Sequence, residues 1–261
     1  MSTANLIPRI RDLLQSNGDY MATKSRIKRE KRRVQTSAES EFHYGSGDIQ
    51  DFKPRNEKQV DFWSSMYENT VTIAHGCAGT GKTLLALWFG MLEVNDKIYD
   101  RVTYVRSDVG TDHQRGRGAL PGTLEEKMLP LIGPLLDNLP VFMKTQGAAE
   151  YLLRTKKVEP MLLEDIRGRS LNNSFIVVDE CQNYTSEQIK TVLTRVGNNS
   201  KIVLVGDTRQ ADLEVFRRRN GLTDAIDKLQ DMRDVGIVEF TADEIVRNSV
   251  IAHILKAYDG L

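Results

Sequence analysis

Three short stretches of this 261-residue chain combine residue types that handle phosphorylated ligands. In Gly76-Cys77-Ala78-Gly79-Thr80-Gly81-Lys82-Thr83 the glycines, lysine and threonine fit G-x-x-x-x-G-K-[ST] without a mismatch. Glycine lets the backbone approach phosphate oxygens and take positive φ where the loop needs it. Backbone N–H groups and a following helix N-terminus would cradle the phosphates. Lys82 would reach the β- and γ-phosphates, and the Thr83 hydroxyl would ligate Mg²⁺. The second stretch, Phe175-Ile176-Val177-Val178-Asp179-Glu180, is an apolar run ending in two carboxylates. Asp179 suits the Mg²⁺ role, and Glu180 suits a general base that deprotonates an attacking water. Transfer of phosphate to a small molecule has no need of that base, so the pair tilts the reading toward hydrolysis. The third, Leu204-Val205-Gly206-Asp207-Thr208-Arg209-Gln210, puts polar groups just past another apolar run, and Gln210 could contact the γ-phosphate or the lytic water.

Such groups converge only if strands carry them to one edge of a sheet. Val71 to His75 reads as a strand feeding the glycine loop, and a helix runs from Lys82 to about Leu92. Arg101 to Ser107, Ser174 to Asp179, Lys201 to Gly206 and Ile237 to Thr241 read as further strands, the Ile- and Val-rich ones suited to a sheet buried on both faces. Thr123 to Leu139 predicts a helix kinked or split at Pro130 and Pro134. A closing helix is expected around Ser249 to Tyr258. The alternation of strands and helices specifies an α/β domain with a mostly parallel sheet flanked by helices, and the glycine loop makes it one of the P-loop NTPase type.

Lys and Arg total 36, as do Asp and Glu, so net charge neither favours nor excludes a nucleic-acid partner. Distribution is more telling. Residues 1–50 read as a basic N-terminal extension, with Lys24, Arg26, Lys28, Arg29, Lys31, Arg32 and Arg33 in one run that can neutralise phosphates; residues 51–261 read as the nucleotide-binding domain. A composition of 28% charged and 40% hydrophobic residues, with mean hydropathy −0.40, fits a globular protein. No apolar run approaches the roughly 20 residues of a spanning helix, and no secretion signal is present, so a cytoplasmic location is expected. Cys77 and Cys181 have neither metal-ligand spacing nor a disulfide framework, and His43, His75, His113 and His253 form no recognisable set.

With these motifs in place, the sequence resembles the PhoH-like family of ATPases, relatives of the ATP-binding core of superfamily-one helicases. The likeness rests on the glycine loop, on Asp179-Glu180-Cys181-Gln182-Asn183, on Gly206-Asp207-Thr208-Arg209-Gln210-Ala211-Asp212, on Ala119-Leu120-Pro121-Gly122 and on Ile245-Val246-Arg247-Asn248. The resemblance implies a RecA-like sheet, ATP and Mg²⁺ as ligands, Gln59 just upstream of the first core helix as a reader of the adenine edge, and Arg247 as an arginine finger. Gln182 would link nucleotide state to a neighbouring surface. Arg106 stands in Val105-Arg106-Ser107 where the family often has Thr-Arg-Pro, a departure that weakens its assignment to nucleic acid. A helicase works with two lobes, whereas this length holds one, so a homo-oligomer, by resemblance a hexamer, is expected, with Arg247 reaching ATP on the next subunit. Single-stranded RNA or another nucleic acid is the expected polymer partner, through Arg115, Arg117 or the basic arm. Two rivals remain open: an ATP-dependent conformational switch with little turnover, and a small-molecule kinase.

Overall fold

Runs of Val, Ile and Leu too apolar to face water assemble into one sheet covered on both sides. The computed structural model describes residues 49–51, 53–107, 124–144, 148–208, 210 and 220–246. In chain order the elements are α1 (Glu57–Glu68), β1 (Val71–Gly76), α2 (Lys82–Asn95), β2 (Arg101–Arg106), α3 (Leu124–Phe142), α4 (Ala148–Arg154), β3 (Val158–Leu162), β4 (Ser174–Val178), α5 (Ser186–Leu193), β5 (Lys201–Gly206), α6 (Gly221–Leu229) and β6 (Val235–Phe240). The six strands run in the order β3-β2-β4-β5-β1-β6, and every described pairing is parallel.

Alternation along each strand divides the core in two. Phe175, Val177, Val203, Val205 and Tyr104 face a layer built from Phe62 and Trp63 of α1, Leu85 and Phe89 of α2, Leu135 and Phe142 of α3, and Leu152 of α4. Ile176, Val178, Ile202 and Leu204 face the other layer, with Ile189 and Val192 of α5 and Leu222 of α6. A Cβ on Gly90 of α2 would stand 2.5 Å from the Phe175 ring, so glycine there lets the helix lie close on the sheet. Lys201 donates to the carbonyls of Met66 and Tyr67 and so satisfies the C-terminal end of α1. No helix among the described residues is long and apolar enough to cross a membrane.

Several expectations need correction. The segment expected to be kinked or split at its prolines is not split: one helix, α3, runs through Pro130, Pro134 and Pro140. Each proline removes one backbone bond, but buried Leu135, Leu139 and Phe142 hold the helix against the sheet layer, and Asn138 Nδ2 donates to the Pro134 carbonyl at 2.6 Å. Strand β3 is absent from the sequence reading because Pro160 interrupts its pattern; it is an edge strand, where a missing N–H is tolerated. Helix α2 runs one turn past the expected Leu92, and α4, α5 and α6 were not anticipated. The expected closing helix lies outside the described residues.

At the mouth of the glycine loop, Gly76 has φ +111°, and a Cβ there would lie 1.9 Å from the Phe240 carbonyl oxygen. Both the conformation and the contact with backbone exclude a side chain. Gly76→Ala is therefore expected to destabilise the fold by about 3 kcal/mol or more, read as a lower urea midpoint with an unchanged m-value.

Candidate active site

Loop geometry starts from the end of β1. Cys77 N–H donates to the Phe240 carbonyl at 2.9 Å, which ties the first loop residue to β6. The chain then turns through Gly79 (φ +80°) and Gly81 (φ +88°), conformations that favour glycine. Helix α2 begins at Lys82 with Gly81 as its N-cap and no capping side chain, so its first N–H groups and positive dipole end point toward an incoming anion.

Lys82 is 8% exposed. Its Nζ donates to the carbonyls of Gly76 (2.8 Å) and Cys77 (2.6 Å) and to Thr80 Oγ1 (3.3 Å). Burial lowers its pKa to about 8, although Asp207, Cys77, Asp179 and Glu180 pull the other way. A phosphate at the loop would favour the charged form and raise that pKa again. Above pH 8, then, nucleotide binding should take up a proton, and affinity should weaken with rising pH by as much as about tenfold per pH unit. Titration calorimetry in buffers of different ionisation enthalpy reads this directly, and equal heats across buffers at pH 9 would rule it out.

Strand β5 lies between β1 and β4, so the loop strand and the strand ending in Asp179 stand about 10 Å apart. The first turn of α2 spans that gap. Thr83 Oγ1 donates to Asp179 Oδ1 at 2.9 Å, and Tyr104 of β2 donates to Asp179 Oδ2 at 2.6 Å. Burial, then the Asp179 carboxylate, pushes the Tyr104 phenol far above its ordinary range, so it remains a donor. A hydroxyl and a 5%-exposed carboxylate brought together suit Mg²⁺, a hard cation usually held by one or two protein oxygens with water and substrate phosphates completing its shell. The described residues contain no cluster of three His, Cys, Asp or Glu side chains able to hold a metal.

Glu180 follows in the left-handed region (φ +55°), a costly conformation for a non-glycine residue and one that accumulates at functional sites. It turns the chain out of β4 into a short 3₁₀ segment, Cys181–Asn183. Its Oε1 lies 3.6 Å from Arg106 Nη2, and its Oε2 accepts from Gln182 Nε2 at 2.5 Å. Gln182 Oε1 in turn accepts from Asp207 N–H at 3.1 Å, which joins the ends of β4 and β5. Gln210 donates its backbone N–H to the Asp207 carbonyl, and the residue is exposed.

Gln59 lies inside the first turn of α1 rather than upstream of it. It is buried, accepts from Arg55 N–H at 2.9 Å and donates to the Thr80 carbonyl at 3.0 Å, so its amide braces the loop. Val246 N–H donates to the Gly79 carbonyl of the same chain at 3.1 Å, and Arg55 Nη1 donates to the Val246 carbonyl. Arg247, Arg115, Arg117 and the basic arm lie outside the described residues. Sequence reasoning missed Tyr104 and the partner of Arg106. One signal was present: the two are separated by a single residue in a strand and so share a face, the face on which Tyr104 is buried.

A model of the family described as PhoH-like protein matches residues 51–259. A PhoH-like protein of Mycobacterium tuberculosis is 38% identical over 206 residues, covering 79% of this chain and 57% of that protein. Protein PhoH of Escherichia coli is 33% identical over 217 residues, covering 82% of this chain and 60% of the other. The chain thus spans little more than half the length of these relatives. Among solved structures, the Sulfolobus solfataricus SWI2/SNF2 ATPase core in complex with dsDNA superposes with a TM-score of 0.41 at 12% identity, over 78% of this chain and 46% of that one.

Proposed function

This chain belongs to the PhoH-like protein family, and from that premise we propose that it binds ATP with Mg²⁺ and hydrolyses it. The observation that carries the proposal is the 2.9 Å bond from Thr83 to Asp179, reaching over an intervening strand, with Glu180 as the next residue. Loop N–H groups and Lys82 bind the phosphates and meet their charge. Thr83 and Asp179 are the residues that would hold Mg²⁺, and Tyr104 fixes the Asp179 carboxylate. When bound, the ion polarises the phosphoryl oxygens and offsets their charge. Glu180 accepts the proton of the attacking water. Gln210 is proposed to contact that water or the γ-phosphate, and Arg247 to neutralise charge in the transition state as an arginine finger. Gln59 carries the proposed adenine contact through the Nε2 edge that now braces Thr80.

On the described side the site has one wall, since Gln210 is exposed and the Glu180 side chain is 41% exposed. A second copy of the chain is the proposed other wall, in a homo-oligomer of hexamer type, with single-stranded RNA as the polymer it acts on and the cytoplasm as its location. A specific observation also favours the switch reading: both Glu180 oxygens are engaged, one by Arg106 and one by Gln182. The two readings separate on phosphate release from Mg²⁺-ATP with and without single-stranded RNA, measured beside the mass of the assembly. Sustained, Mg²⁺-dependent release supports the ATPase; tight binding without release under any condition supports the switch.

A further inference from the structure

Strand β2 offers two polar side chains on one face at the end of the sheet, and each meets one of the adjacent carboxylates that end β4. Tyr104 takes Asp179 at 2.6 Å, and Arg106 takes Glu180 at 3.6 Å. The register makes this pairing: Tyr104 lies opposite Val177 and Val105 opposite Val178, and Asp179 N–H donates to the Val105 carbonyl at 2.9 Å. The two contacts differ in kind. The Tyr104 bond is short and buried, whereas the Arg106 pair is longer and joins side chains 26% and 41% exposed. The first is a fixed part of the site; the second is weak enough to open.

An opened pair changes what Glu180 can do. A cation beside one carboxylate oxygen draws on the charge that would accept a proton and sets the orientation of the group, while Gln182 holds the other oxygen at 2.5 Å. We infer that Arg106 is a positioning residue that restrains Glu180, and that the phosphodiester backbone of single-stranded nucleic acid relieves the restraint by taking the guanidinium. The guanidinium is a planar fork of donors that matches phosphate geometry, and it sits at the sheet edge where the other site residues gather, partly open to solvent. The Asp179 carboxylate also attracts it, but its described ion pair, to Glu180, is 3.6 Å long and one a phosphate can displace. This inference rests on Glu180 acting as the base for hydrolysis.

The test uses the full chain at saturating Mg²⁺-ATP with and without oligouridine. Arg106→Ala should raise kcat without RNA by about two- to fivefold, the range set by a partly exposed ion pair, with KM for ATP held within a factor of about two. Oligouridine should stimulate wild type by a similar factor and leave Arg106→Ala nearly unchanged. Arg106→Lys, which keeps the charge but loses the fork, should fall between. A thermal melt checks folding, and Arg106→Gln takes the same arms if the alanine variant fails it. The proposal is overturned if the alanine variant is no faster than wild type, if wild type is not stimulated, or if oligouridine stimulates both proteins equally. Where wild type turns over and only these arms fail, the ATPase reading stands without the restraint. If wild type and Arg106→Ala both bind ATP and neither hydrolyses it, the ATPase reading falls and the restraint with it.

Discussion

Glu180→Gln is expected to cut ATP turnover by at least about a hundredfold while leaving nucleotide affinity within a factor of about three. The amide has the shape of the carboxylate but cannot accept the proton of an attacking water. Stability should hardly change, because the ion pair it breaks with Arg106 is partly exposed and contributes little. The phosphate contacts proposed for the loop and the Thr83 to Asp179 bond do not involve this side chain. Steady-state phosphate release paired with titration of a fluorescent ATP analogue separates the two quantities. Turnover at the wild-type rate would remove Glu180 from the base role and leave the activation of water to another group. A fall in affinity matching the fall in turnover would instead mean that the residue binds rather than catalyses.

Lys82→Ala should lower nucleotide affinity by about a hundredfold and reduce turnover at least as far, because the charge-assisted contact to phosphate proposed for Lys82 is lost. The same substitution should leave folding stability near neutral pH little changed. Burial makes the Lys82 charge costly, as its pKa of about 8 records, so removing the ammonium removes that cost. Against this, the Gly76 and Cys77 carbonyls lose a donor. The two effects oppose each other, which separates this variant from Gly76→Ala, where the loss is structural. Analogue binding and a urea titration on the same preparation test both halves. Affinity within threefold of wild type would mean that the loop does not hold phosphate through Lys82.

Much of the site was legible because its signals are local. A glycine loop followed by lysine, threonine and an apolar helix can be read from spacing alone, since the need for positive φ at Gly79 and Gly81 and for an uncapped helix start at Lys82 is written in those residues. The apolar run before Asp179 likewise announces a buried strand whose end must hold polar groups. Less legible were the helices α4 to α6 and strand β3, whose short or proline-interrupted patterns are decided by what they cover. The prolines of α3 show the same limit in reverse: each costs a backbone bond, yet the burial of Leu135, Leu139 and Phe142 decides the outcome.

What the sequence determined by itself was therefore the class of fold, the loop and the two carboxylates, because each depends on residues adjacent in the chain. Which side chains touch those carboxylates was decided by the tertiary structure alone. Strand order places β5 between β1 and β4, and parallel register sets Tyr104 and Arg106 of β2 beside the end of β4, from positions more than seventy residues away in the chain. No local pattern encodes that register, which follows from how two apolar faces pack against helices on either side of the sheet. The groups that could start chemistry are thus written in the chain, and the contacts that orient or restrain them arise only once the sheet has formed.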